Sequence, residues 1–301
     1  MTETPNNEND LWQYVENARP QIEKSLRDYL PLAPPQIETK FNEAVEYALF
    51  SGGKRLRPVL TLLGAELFGG KPEMLLPAAA AVEFIHTSSL IFDDLPCMDN
   101  ADERRGKTSV HEKFGEGLAV LVAIGFLNAS YGLIFVNHTP TPERAMAAHA
   151  ELVECIGASG MIGGQSVDLA LAKGAGATDV SEYESESIRN LKTSALMRLC
   201  LRVGAILAGA NYFELASLSR YAELLGDAYQ LSDDLIDLRE DGEIFSEERK
   251  TFAISRGENS ANLQLRKIVE EAKKVLIDNF SPGEARSCLL QLTDYLAERK
   301  S

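Results

Sequence analysis

Residues 78–99 read AAAAVEFIHTSSLIFDDLPCMD. This stretch lies mostly within a segment, 73–95, whose apolar residues recur three and four apart, the helical period. An apolar run from Ala78 to Ile91 ends on two adjacent aspartates, Asp93 and Asp94, with a third, Asp99, downstream. Pro96 must end or bulge the helix, because proline cannot donate to the preceding turn. That break lets Asp99 swing back toward the pair.

The same period recurs along the chain, and strand signals are sparse. It predicts helices over roughly 11–30, 36–50, 56–68, 73–95, 107–137, 142–171, 180–209, 212–238, 258–279 and 283–299. Breakers separate them, among them Pro34 and Pro35, Gly52 and Gly53, Pro140 and Pro142, Gly174 and Gly176, and Pro282 and Gly283. No linker rich in Pro, Gly or Ser divides the 301 residues. The expected fold is all-α, one bundle of about ten helices over 11–301, after a polar, acidic and flexible segment at 1–10. Residues 117–136 carry no charge and are about long enough to cross a bilayer. In a chain otherwise rich in charge, a helix buried on all sides of a large core explains them better.

The hydrophobic share is 45% and the charged share 25%, ordinary for a globular protein, which excludes bulk disorder. Thirty basic against 45 acidic residues give a net charge of −15. That disfavours a nucleic-acid binder and steady attachment to an anionic membrane. An anionic substrate would need a local basic cluster or bridging metal ions. The four cysteines, Cys97, Cys155, Cys200 and Cys288, are scattered and form no CxxC pair, which fits a reduced, cytoplasmic setting.

The aspartate pattern has a second copy, Asp233, Asp234 and Asp237, in YQLSDDLID at 229–237. Residues three and four apart share a helix face, so these carboxylates can converge. It too follows an apolar run, Leu224 to Leu231. A solvated acidic helix end would explain either motif alone. Two of them, each closing an apolar helix, point instead to a neutralising cation. Hard oxygen ligands suit Mg²⁺, which binds through one or two carboxylates plus substrate phosphates. Basic residues balance them: Lys54, Arg55 and Arg57 follow the double glycine Gly52-Gly53, and Arg104 and Arg105 follow the first motif. Arginine forks match phosphate oxygens. Together these features describe a cavity for a phosphorylated substrate and its metal ions.

In these motifs the chain resembles the all-trans polyprenyl diphosphate synthase family, in particular bacterial geranylgeranyl and farnesyl diphosphate synthases. The matching motifs are GGKRLRP at 52–58, DDLPCMD at 93–99 with RRG at 104–106, GMIGGQSVDL at 160–169, KT at 192–193 and YQLSDDLID at 229–237. They stand in family order. The resemblance implies a helical bundle around a central apolar cavity, a homodimer, and a Mg²⁺-dependent condensation of isopentenyl diphosphate with an allylic diphosphate (dimethylallyl, geranyl or farnesyl). It implies that Asp93, Asp94, Asp99, Asp233, Asp234 and Asp237 hold the metal ions. Lys54, Arg57, His86 and Arg105 match positions that hold isopentenyl diphosphate. Arg104, Lys192 and Gln230 match those that hold the allylic diphosphate, with Thr193 and Gln165 lining the site and Asp168 beside Gln165.

Three departures stand against the family pattern. Phe92 replaces a frequent histidine, and Ala123 and Ile124 replace a usual Gly-Asp. The segment 238–251 is short and acidic where relatives carry glycine-lysine pairs, so only Lys250 could substitute there. That keeps open a partner subunit with weakened or lost catalysis, although such a subunit would not need both aspartate triads. A class I terpene cyclase would not need the GGKRLRP cluster. A structural helical module would not gather like charges at apolar helix ends.

The expected product is geranylgeranyl diphosphate (C20), with farnesyl diphosphate (C15) second. Ser88 and Ser89 lie five and four residues before Asp93, roughly 6–7.5 Å down the helix axis. C15-forming relatives commonly carry an aromatic floor at one of these places. Serine leaves room for another prenyl unit, and deeper bulk at Phe126 or Ile85 then closes the tunnel.

Overall fold

A computed structural model describes residues 10–37, 39–136, 141–172, 182–241 and 257–299; at 10, 171, 172, 182–192, 237 and 239–241 it describes the backbone alone. The expected 1–10 segment, apart from the backbone of Asp10, lies outside them. The described chain is all-α. Its helices are α1 (Asp10–Asp28), α2 (Phe41–Leu49), α3 (Leu56–Glu66), α4 (Leu76–Asp94), α5 (Val110–Phe114), α6 (Glu116–Leu133), α7 (Pro142–Ile156), α8 (Met161–Ala172), α9 (Glu182–Ala208), α10 (Tyr212–Asp241), α11 (Glu258–Asn279) and α12 (Glu284–Glu298). Among the described residues the strands are one antiparallel pair, β1 (Glu103–Arg104) and β2 (Lys107–Thr108).

Two expected helices are each divided. The span 107–137 begins as β2 and then breaks at Gly115, whose φ of +89° separates α5 from α6. The span 142–171 breaks between Ile156 and Met161, around Gly157 and Gly160. In both, apolar periodicity carries on across the glycine and hides the stop.

The chain forms two compact units, and α1, α7 and α9 contribute residues to both. The first unit comprises Val15–Ala150 with Val203–Gly209. At its core is α4, whose Ala78, Ala79, Ala80, Ala81, Val82, Phe84 and Ile85 are all buried. Small residues on every face let α3 and α6 pack closely against it, and the Phe84 and Phe126 rings meet at 5.2 Å. Helix α9 approaches α3 just as closely: a Cβ on Gly204 would lie 1.9 Å from the Thr61 carbonyl oxygen. The second unit comprises Met1–Tyr14, Glu151–Arg202 and Ala210–Ser301. Here α10 packs on α11 and α12, and the fully buried Tyr221 hydroxyl donates to the Leu289 carbonyl at 3.0 Å.

Helix α6 corrects the expectation of a helix buried on all sides. It is the one helix among the described residues long and apolar enough to cross a bilayer, and only 33% of it is buried. Ala119, Val122, Ala123, Phe126, Ser130 and Leu133 form the buried stripe, while Leu121 and Ile124 are 57% and 49% exposed. Composition shows that a helix is apolar, not how many of its faces its own chain covers.

One buried cation ties α1 to α4 together. Arg55, whose side chain is 3% exposed, donates to Glu23 at 2.7 Å, to Glu83 at 2.8 Å and to the Leu49 carbonyl at 2.8 Å. Glu83 is also buried, so removing the arginine leaves an uncompensated carboxylate. Arg55→Met is expected to lower stability by about 3–5 kcal/mol. Chemical denaturation would show it, and a loss under about 1 kcal/mol would mean that the Glu83 charge finds another partner.

Candidate active site

The first aspartate motif is built by the end of α4. Leu95 leaves the helix with ψ of 150°, as a residue before proline is driven to do. The chain then folds back: the Asp99 amide donates to the Asp93 carbonyl at 2.9 Å, and the Ala101 amide to the Asp94 carbonyl at 3.1 Å. The expected return of Asp99 is therefore present in the backbone. Asp93 and Asp94 are 8% and 3% exposed. Arg104, on β1, lays its fork on Asp94 Oδ1, with Nε at 2.9 Å and Nη2 closing the pair. That bond is the main cause that raises the Arg104 pKa.

Arg105 continues the turn in the left-handed region, with φ of +56°. Its Nη1 donates to the Gly52 carbonyl at 2.7 Å, and its Nη2 lies 3.4 Å from His86 Nε2. Gly53 has a φ of +122°, a conformation that favours glycine, and a Cβ there would also press on the Arg105 guanidinium, 2.7 Å from Nη1. Burial, and then the Arg57 and Arg105 cations, hold His86 well below its ordinary value of 6.5. The imidazole is therefore neutral. With Nε2 accepting from Arg105, the proton sits on Nδ1, which has no partner among the described residues. The buried Nε of Arg57 also has none. Lys54 is exposed at the mouth of the same loop. A small cavity beside these groups is lined by Ser51, Thr87, Asp94, Arg104, Arg105 and Ser109. Of the three cations in 52–58, Arg55 is taken up by the fold, Lys54 is exposed, and the buried Arg57 keeps its Nε without a partner among the described residues.

The second motif belongs to the second unit. On α10, Gln230 Nε2 donates to Asp234 Oδ1 at 3.1 Å. Asp233 is paired with Arg299, a residue that no motif singled out and that lies 66 positions away. Gln165 and Asp168 are half-buried on α8, and Thr193 is half-buried on α9. The side chains of Lys192 and Asp237, and all of Lys250, lie outside the described residues. Glu83, the other residue that sequence reasoning passed over, could have been suspected as a lone charge inside the apolar run of α4.

Among the described residues no three His, Cys, Asp or Glu side chains gather into a ready-made metal cage. The donors are nonetheless hard carboxylate oxygens, and two of them are buried at a helix end. This fits Mg²⁺, which keeps few protein ligands and completes its shell with substrate phosphates and water.

An all-α fold with carboxylates at the ends of apolar helices defines the class. Residues 38–274 match the family described as Polyprenyl synthetase. The chain is similar to a dimethylallyltranstransferase of Fischerella ambigua, 35% identical over 300 residues, covering 96% of this chain and 84% of that protein. It is 39% identical over 268 residues to a chloroplastic geranylgeranyl pyrophosphate synthase of Capsicum annuum, covering 86% and 71%. Among solved structures it resembles an FPP/GFPP synthase of Zymomonas mobilis, with a TM-score of 0.85, 31% identity and coverage of 97% and 100%. The chain belongs to the polyprenyl synthetase family and is a trans-prenyltransferase.

The neutral His86 has a consequence for stability. In the unfolded chain it takes up a proton as the pH falls through 6.5, while in the fold it stays neutral to lower pH. Above 6.5 it contributes nothing; below, stability falls until the folded value is reached. His86→Gln is therefore expected to lose less stability than the wild-type protein between about pH 7.5 and about pH 5.5. Denaturation curves at both pH values check this, and equal losses in the two proteins would overturn it.

Proposed function

We propose that this chain joins isopentenyl diphosphate to an allylic diphosphate and makes a short all-trans prenyl diphosphate, with geranylgeranyl diphosphate as the product. The reading is carried by the unmet donors of the first unit. His86 Nδ1–H and Arg57 Nε–H are buried and have nothing to donate to among the described residues. A buried donor without a partner costs about 1–3 kcal/mol, and diphosphate oxygens would satisfy both. Lys54 and Arg105 add charge, so these four residues would hold isopentenyl diphosphate. Arg104, Lys192 and Gln230, with Thr193, Gln165 and Lys250, would hold the allylic diphosphate. Mg²⁺, bound by Asp93, Asp94, Asp99, Asp233, Asp234 and Asp237 together with that diphosphate, would supply Lewis-acid stabilisation of the leaving group. The chain's own part is to fix both diphosphates, keep the apolar chains dry and hold a neutral imidazole where a cation would repel its neighbours.

The C20 product is supported by the wall of α4. Ser88 is buried and its hydroxyl has no partner among the described residues, while Ser89 donates to the His86 carbonyl at 2.8 Å. Neither serine adds aromatic bulk to that wall. Farnesyl diphosphate is the second reading, favoured by the name of the solved Zymomonas relative. The chain would work as one prenyl synthase domain and as a homodimer. The homodimer is supported by the exposed apolar face of α6, and four cysteines that form no disulfide support a reducing compartment, the cytoplasm.

Asp94→Ala and Asp233→Ala are each expected to lower turnover by about two orders of magnitude or more while the circular dichroism stays helical. Steady-state assays with both diphosphates test this, and near-normal activity in either variant would refute the metal assignment. Ser88→Phe is expected to move the product from C20 toward C15 with catalysis retained. Chromatography of the dephosphorylated products checks it; a wild-type protein that stops at C15, or a variant that still makes C20, would refute the open-wall argument.

A further inference from the structure

Arg299 lies just past the end of α12, with extended backbone (φ −62°, ψ 146°), and its side chain turns onto α10. There one guanidinium makes four contacts. It donates to Asp233 Oδ1 at 2.5 Å, to Ser232 Oγ at 2.7 Å and to the Tyr229 carbonyl at 2.9 Å. Its carbon also sits 4.3 Å from the centre of the Tyr229 ring. The arginine side chain is 8% exposed and the Asp233 side chain 38%, so a buried cation meets a carboxylate that still faces solvent. The docking of α12 does not depend on it, because Leu289, Leu292 and Leu296 are buried and Tyr221 bonds α12 directly. Arg299 adds a positive charge to a carboxylate of the second motif. The first motif has the same device, with the Arg104 fork on Asp94 Oδ1.

The geometry points to Arg299 as a positioning residue, the resident counter-charge of the second aspartate motif. It is bonded to Asp233 and holds off free divalent ions, so that the motif takes up metal together with a diphosphate rather than ahead of it. Three aspartates on one helix face repel one another, and the arginine offsets that repulsion without filling the site. When the anionic ligand arrives with its ions, the negative charge it brings outweighs the fixed cation. Lysine retains the charge at Asp233 but cannot reach all three acceptors at once.

This inference rests on the reading of Asp233 as a metal ligand. The test uses Mn²⁺ as the probe and electron paramagnetic resonance of the free ion as the readout, on the full chain. Without diphosphate, Arg299→Met is expected to bind Mn²⁺ about fivefold or more tightly than wild type, because a unit charge close to a divalent site has been removed. Arg299→Lys is expected to stay near wild type. Adding Asp233→Asn to Arg299→Met should remove the gain, and inorganic pyrophosphate should shrink the difference. An Arg299→Met protein whose Mn²⁺ affinity is unchanged or weaker overturns the proposal; a lower melting temperature with unchanged affinity is the mark of a purely structural arginine. Should Arg299→Met lose its helical signal, Ser232→Ala loosens the fork and is expected to tighten Mn²⁺ by about twofold, and no change there overturns the proposal equally. Failure of the wild-type protein to bind Mn²⁺ even with pyrophosphate would overturn the metal reading itself, and this inference with it.

Discussion

Carboxylates gathered at the end of an apolar helix repel one another and resist desolvation, so each needs a positive charge close by. Much of the described architecture around the two aspartate motifs answers that constraint. Asp94, almost fully buried, has the Arg104 fork; Asp233 has Arg299. Glu83, buried on the same helix as Asp94, has Arg55. In a chain of net charge −15 the arginines are therefore not a diffuse basic face. Arg104, Arg299 and Arg55 each lie against a particular carboxylate, whereas the buried Nε of Arg57 has no partner among the described residues.

The backbone is bent to meet the same constraint. Among the described residues three that are not glycine have positive φ: Arg55, Asn100 and Arg105. Each left-handed L-residue costs about 1–2 kcal/mol, and each here sits at the edge of a motif. The bend at Arg55 starts α3 and sends its fork between Glu23 and Glu83. The bend at Asn100 lets the Asp99 and Ala101 amides reach back to the end of α4. The bend at Arg105 turns successive arginines to different tasks, Arg104 to Asp94 and Arg105 to Gly52 and His86. The strain is held in place by several bonds and is collected where the charges are.

This explains what could be read in the sequence and what could not. The all-α class, the end of α4 before Pro96 and the return of Asp99 were legible, because each is a local effect of residues a few positions apart. The breaks inside 107–137 and 142–171 were not, because the apolar rhythm continues across Gly115, Gly157 and Gly160. The three cations of 52–58 looked equivalent. Only the fold reveals that Arg55 faces inward to Glu83, and no local rule connects Asp233 to a residue 66 positions later. The exposure of Leu121 and Ile124 was hidden for another reason: composition reports how apolar a helix is, and packing decides which side is covered.

His86 shows why the basic end of the first unit is not built from cations alone. Arg55, Arg57, Arg104 and Arg105 all act on it electrostatically, and each lowers its affinity for a proton. A lysine in that place would bring a further positive charge into a desolvated cluster before any anion had arrived, and the repulsion would have to be balanced elsewhere. A neutral imidazole avoids this. It accepts from Arg105 through Nε2, which orients the ring, and presents Nδ1–H as a donor that carries no charge. The cluster thereby combines arginines with an uncharged donor and carries less self-repulsion than one built of cations alone. A charge-neutral donor among cations is the counterpart of an arginine among aspartates: in both, the local excess of one sign is limited by a residue of a different kind.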